Sequence, residues 1–324
     1  MGRIREWIAG DQLMPWAKVG ITLLAVALPP VVAVLLFGRV GAVAFVAAMP
    51  AHLAAKDNGT KVALLVTLVM GMAGLLSLGR PDMAILVAVC LGLMVGRCGT
   101  WGLARPCIQA LLTWTIFTSP IIAGSELPLV FGIFVAGMLW ALAVTWWFGQ
   151  TFTTGDEPPE NAPHAVAFGL VMAVGLGISV WAGGRFFGSH GFWLPLTFVV
   201  LCLPPHGELF RRTLKRFAGT FIGTGLALAL AWVSQAMWVE VLAGALCLPL
   251  AFRYMPKSYT LFTALLTVSV LEILAQVSDV DQLAGERLWT MVAAALLTVG
   301  LGALAWVALR LFRPEALKAL LDEG

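Results

Sequence analysis

The sequence predicts an all-α polytopic membrane protein of about twelve transmembrane helices, arranged as two parallel six-helix repeats with both termini cytoplasmic. Three observations carry this. Of the 324 residues, 60% are apolar and only 11% charged, against about 25% charged in an average soluble protein. The apolar residues run unbroken for about twenty positions at a time, the length of a helical span, without the alternation of a barrel strand. The basic residues fall almost entirely on one side of the pattern those runs define.

The runs lie near 18–38, 40–55, 60–79, 82–96, 104–124 and 127–149, then near 164–184, 192–205, 215–234, 238–252, 258–277 and 287–309. The stretch 150–163 between the sixes is polar and Pro-rich (QTFTTGDEPPENAP) and reads as a cytoplasmic linker. It separates a first repeat, 1–149, from a second, 164–324. The second and eighth runs are short and end at Pro50 and at Pro204-Pro205, so they are candidates for half-length or tilted helices that stop inside protein.

With a cytoplasmic amino terminus, sixteen of the twenty basic residues fall on the inner side. Only Arg39, Arg80, Arg185 and Arg287 fall outside. Losing or gaining one span in the middle of the chain would destroy this bias. Trp7, Trp16, Trp101, Trp146, Trp147 and Trp306 gather towards the inner boundary, and Trp181, Trp193, Trp238 and Trp289 towards the outer one, as interfacial tryptophans do.

Twelve spans leave no room for a soluble catalytic domain, and no enzyme activity is expected. The net charge of +3 sits at helix ends and carries no message about nucleic acid. Cys90, Cys98, Cys107, Cys202 and Cys247 have no metal-ligand spacing and read as small apolar packing residues; no metal or cofactor is expected. Met1 to Trp16 is polar, so no cleavable leader is expected.

Landmarks recur at a fixed offset. At 154 residues Pro50 matches Pro204, His52 matches His206, Lys61 matches Lys215 and Gly71 matches Gly225. Further on the offset drifts, pairing Asp82 with Glu240, Arg97 with Arg253, Glu126 with Glu286 and Trp146 with Trp306. A parallel duplication around an axis along the membrane normal would place a transport path between the halves.

The second half carries more specific residues. Trp193-Leu-Pro-Leu-Thr197 opens a short span that ends in a polar turn, and the next helix begins with Arg216, Gly219, Thr220 and Gly223 in an R-x-x-G-T-x-x-G pattern. This resembles the aromatic acid exporter and fusaric acid resistance superfamily. The resemblance covers about 190–310, through Arg287-Leu-Trp-Thr-Met, and the first half only weakly. It implies an inner-membrane efflux component for small, often aromatic, carboxylic acids, driven by the proton gradient. It also implies a periplasmic adaptor of the membrane-fusion type as partner. The large cytoplasmic domain of many relatives has no counterpart in this sequence.

A charge near the hydrocarbon costs about 2.5–3.5 kcal/mol at a helix centre, so one that cannot reach an interface is a functional candidate. Glu272, inside the eleventh run, is the candidate for proton coupling; its alternative is to reach the outer headgroups. Lys61, Lys215, Arg212 and Arg216 open the third and ninth runs and would offer positive charge to a substrate carboxylate; their alternative is plain positive-inside anchoring. His52 and His206, each following proline in an expected turn, are candidate gates or structural turn residues. Trp114 and Trp140, expected near mid-membrane, would offer flat faces to an aromatic substrate or simply pack. Gly219, Thr220 and Gly223 form a helix-packing motif. Asp82, Glu126, Glu240 and Glu286 read as helix-start carboxylates.

Three functions fit these residues: a proton-coupled exporter of organic anions, an anion channel or uniporter on the same scaffold, and a membrane scaffold or enzyme subunit of envelope assembly. A homo-oligomer is compatible with each. A major-facilitator transporter also has six plus six spans, but Lys56-Asp-Asn-Gly-Thr-Lys61 does not supply its basic loop motif.

Overall fold

A computed structural model describes residues 13–119, 122, 125–152, 162–203, 209–234, 236–275 and 280–312. Among them all regular structure is helical. The helices are α1 (Trp16–Val26), α2 (Leu28–Phe37), α3 (Val43–Asn58), α4 (Thr60–Ser77), α5 (Pro81–Gly99), α6 (Ala104–Trp114), α7 (Leu127–Trp147), α8 (Ala162–Phe186), α9 (Trp193–Leu201), α10 (Leu209–Val233), α11 (Met237–Tyr254), α12 (Tyr259–Ala275) and α13 (Val280–Phe312).

Eight helical stretches among the described residues are long and apolar enough to cross a membrane, and α12 is a shorter apolar helix of 17 residues. Twelve separate spans are therefore not what the helix lengths display. The first two runs form one 43-residue apolar stretch, Trp16–Asn58, bent by a 3-10 segment at Gly38–Ala42. The fifth run, expected to span, is helical only over the 11 residues of α6 and a 3-10 turn at Thr115–Thr118. Side chains explain the stop. The hydroxyls of Thr113, Thr115 and Thr118 donate to the carbonyls of Ala110, Leu112 and Thr115, and such local bonds compete with the helix ladder. Ser119 then precedes a proline, which disfavours helical backbone. The eighth run is the 9-residue α9.

By packing, the chain forms two compact units: Met1–Leu23 with Phe210–Ala293, and Leu24–Leu209 with Ala294–Gly324. This division differs from the sequence halves, because α5 of the first half and α8 of the second pack along one another inside the larger unit. Their seam is made by small residues. A Cβ on Gly92 would stand 2.4 Å from the Ala173 Cα, and one on Gly96 would stand 2.5 Å from the Gly169 Cα, so the two backbones touch with no side chain between them.

The core of the larger unit gathers α3 to α9 around Trp114, Phe117, Ile108 and Phe198, all buried. Glycines on α4 accept its rings: Gly71 faces Phe134 and Gly74 faces Phe117. Gly137 of α7 lies against the backbone of Ala44 on α3. Pro50 is inside α3 rather than in a turn, as membrane helices permit when neighbours supply packing and hydrogen bonds. At the end of α3, buried Asp57 forms an ion pair with Arg105, 3.3 Å from its Nε, and accepts a hydrogen bond from Gln109 Nε2 at 3.3 Å.

In the smaller unit α10 packs on α12, and α11 packs on α12 through the Ser269 hydroxyl, which donates to the Gly244 carbonyl at 2.8 Å. The start of α1 is tied to the end of α11: Met14 N–H donates to the Arg253 carbonyl at 3.0 Å, and the Arg253 guanidinium lies 4.4 Å over the Trp16 ring.

Candidate anion-binding site

On α10 the residues Thr213, Arg216, Thr220 and Thr224 follow at intervals of three, four and four, which places them on one stripe of a helix. All four are buried. The adjoining stripe is Gly219 and Gly223. A Cβ on Gly219 would stand 2.5 Å from the Thr260 carbonyl oxygen, and one on Gly223 would stand 2.4 Å from that of Ala264. The absence of side chains there brings α12 onto α10 and sets Tyr259, Thr263 and Thr267 against the polar stripe.

Arg216, 4% exposed, donates through Nη1 to the Tyr259 hydroxyl at 3.4 Å, while its Nε has no hydrogen-bond partner. Arg287 of α13, 7% exposed, lies close enough for the two guanidinium charges to repel. The hydroxyls of Thr220, Thr224 and Thr263 are buried and without partners. Elsewhere in the fold, helical hydroxyls such as those of Thr145 and Thr298 donate back to the carbonyl four residues earlier. A buried polar group left unsatisfied costs about 1–3 kcal/mol. The Arg216 guanidinium, a phenol and three open hydroxyls in one unit are together complementary to a carboxylate, and Arg287 adds positive charge nearby.

Glu272 is fully buried near the end of α12. It lies against α11 beside Gly244, with Glu240 of that helix within electrostatic reach. It does not extend to a surface of the unit, as the headgroup alternative requires.

The remaining candidates are dispersed. Lys215 and Arg212 are half-buried on α10 and take part in interactions of their own, and Lys61 is exposed at the start of α4. His52 is helical, not part of a turn, because α3 continues through Pro50; it is buried, with Nδ1 2.8 Å from the Thr145 hydroxyl and Nε2 unpartnered. His206 lies outside the described residues. Trp114 is wholly enclosed in the larger unit's core, so it has no face open to a substrate. Trp140 is 43% exposed, donates to the Leu24 carbonyl at 2.9 Å and borders an apolar cavity of about 260 Å³.

Sequence reasoning placed Arg287 among external anchors and passed over Tyr259, Thr224 and Thr263. The usable signal was the four-residue spacing of Arg216, Thr220 and Thr224, hidden because threonine is unremarkable in a membrane helix. Of the residues that carried the resemblance, Arg216, Gly219, Thr220, Gly223 and Arg287 belong to the smaller unit, and Trp193–Thr197 to the larger one.

Residues 165–301 match the fusaric acid resistance protein-like family. The fusaric acid resistance-like segment thus contains the whole candidate site, from Thr213 to Arg287, together with Glu272. The inner membrane protein YccS of Escherichia coli (strain K12) is 27% identical over 115 residues, which are 35% of this chain and 16% of YccS. The chain therefore spans a small part of that protein's length. No solved structure matches it at a significant level. The protein is a multi-pass helical membrane protein with a fusaric acid resistance-like segment, a resemblance that points to transport.

Proposed function

We propose that the protein exports small organic acids, aromatic carboxylates foremost, across the bacterial inner membrane in exchange for protons. The observation that supports this reading is buried Arg216, whose Nε has no hydrogen-bond partner, together with the buried, unpartnered hydroxyls of Thr220, Thr224 and Thr263 inside an apolar helical unit. Leaving such buried donors unsatisfied is costly. A substrate carboxylate supplies the missing acceptor, with Tyr259 as a further donor. Glu272, buried in the same unit, is the proton carrier of the proposal, since an intramembrane carboxylate is costly and is retained for a task.

The proposal keeps both termini cytoplasmic, from the sixteen-to-four distribution of basic residues, and the duplicated halves as its evolutionary frame. It includes a periplasmic membrane-fusion adaptor as partner, on the strength of the family resemblance. Whole-length YccS is larger, so its own activity is not carried over.

The test is transport by the full chain in proteoliposomes, with radiolabelled benzoate under an imposed pH gradient. Benzoate moving against its concentration when protons flow the other way, and ceasing to do so in Arg216→Gln and Arg287→Gln, supports export. Voltage-driven flux indifferent to the pH gradient overturns proton coupling and favours the channel. No movement of any aromatic acid favours the scaffold.

A further inference from the structure

The larger unit holds a second cavity, of about 500 Å³, bounded by the start of α5, the end of α8 and the segments before α7 and α9. It runs from buried Phe117 to an open edge formed by Arg80, Arg185 and Trp181, with Phe192 on its wall and Asp82 in the first turn of α5. Among the described residues neither Arg80 nor Arg185 forms an ion pair or a side-chain hydrogen bond. Both guanidinium groups are therefore available, and against the single carboxylate of Asp82 the lining has an excess of one positive charge. Its volume falls within the usual range of small-molecule sites, about 300–1,000 Å³. Backbone shape keeps it open: Gly79 and Gly188 turn the chain at φ +67° and +55°, and Gly183 and Gly191 allow the backbones of their segments to meet.

Position sharpens the reading. The positive-inside rule disfavours external basic residues, so each one retained there asks for a local reason. Of the four assigned outside, Arg287 belongs to the buried site, and Arg80 and Arg185 border this one cavity. Aromatic rings on the floor and wall with guanidinium groups at the mouth suit a planar ring carrying a carboxylate.

We propose that this cavity is an outward-facing subsite for aromatic carboxylates, distinct from the buried arginine site. It rests on the proposed direction of export, and its test separates the two. Equilibrium binding of radiolabelled benzoate to the full chain in nanodiscs is expected to give two sites per chain. The double variant Arg80→Gln/Arg185→Gln should lose one and keep the other, and Arg216→Gln/Arg287→Gln should do the converse. Trp181→Ala should weaken the outer site alone by about two- to tenfold, the range of one ring contact. Unchanged stoichiometry and affinity in the Arg80/Arg185 variant overturns the outer subsite. Unchanged binding in the Arg216/Arg287 variant overturns the buried site while leaving the outer one standing. Because the outer arginine side chains are exposed and make no hydrogen bond or ion pair among the described residues, a correctly folded variant is expected, and retention of the second site verifies it.

Discussion

Arg216 on α10 reaches the hydroxyl of Tyr259 on α12 across a contact of 3.4 Å, long for an N–H···O hydrogen bond. The tyrosine holds one edge of the guanidinium and leaves Nε without a partner. Tyr259→Phe should therefore keep the fold and weaken substrate binding by only about 0.5–1.5 kcal/mol, the net worth of one such bond. Benzoate affinity of the full chain, compared with Arg216→Gln, checks this. A larger loss in Tyr259→Phe than in Arg216→Gln would mean that the phenol, not the guanidinium, carries binding.

The seam between α10 and α12 gives a prediction of sign. Gly223→Ala would drive a Cβ to 2.4 Å from the Ala264 carbonyl oxygen, whereas Gly225→Ala, two residues on, meets nothing within 4 Å. Overpacking costs about 1–3 kcal/mol, while alanine gains roughly 1 kcal/mol over glycine in a free helix position. Gly223→Ala should lower the melting temperature of the detergent-solubilised protein, and Gly225→Ala should hold or raise it. Equal shifts would show that the seam is not a close contact.

Glu272→Gln removes the titratable proton while preserving the shape of a fully buried side chain. Accumulation of benzoate driven by a pH gradient should disappear, while exchange of internal for external benzoate at equal pH should persist. If both persist, proton coupling runs through another group, and Glu240 is the next to vary.

In the larger unit, Asp57→Ala would take away a buried carboxylate that serves both Arg105 and Gln109. Arg105 is 38% exposed and keeps its hydration, so the cost should fall below that of breaking a fully buried pair, at about 1–3 kcal/mol. Arg105→Lys, which retains the charge, should cost less. Thermal unfolding of both variants decides this, and equal losses would assign the whole effect to the Arg105 contact and none to Gln109.

Much of the architecture was legible because hydrocarbon imposes one simple rule, unbroken apolarity over a span, and the chain obeys it from α4 to α5 and again at α7, α8 and α10. The rule fails where polar side chains pair internally. Thr113, Thr115 and Thr118 shorten α6 by bonding to their own backbone, an effect that average hydrophobicity does not register. Pro50 misled in the opposite sense, because a proline that ends a soluble helix is accommodated inside α3. At the site, Glu272 stood out as a charge in apolar surroundings, and Arg216 as part of the basic cluster that opens the ninth run. Arg287 did not, since its place in the sequence suits an interface and only the fold reveals that it is enclosed.

The glycine seam has a mechanical consequence. Arg216 sits level with Tyr259 at one end of α12, and Glu272 lies thirteen residues further along, about 20 Å at 1.5 Å per residue. With Gly219 and Gly223 seated directly on the facing backbone, there is no layer of side chains to slide over, and the two helices are locked in register like the marks on a single ruler. Under the proposed exchange of anion for proton, any change of access must then carry Arg216 and Glu272 together, as one rocking piece whose ends stay a fixed distance apart.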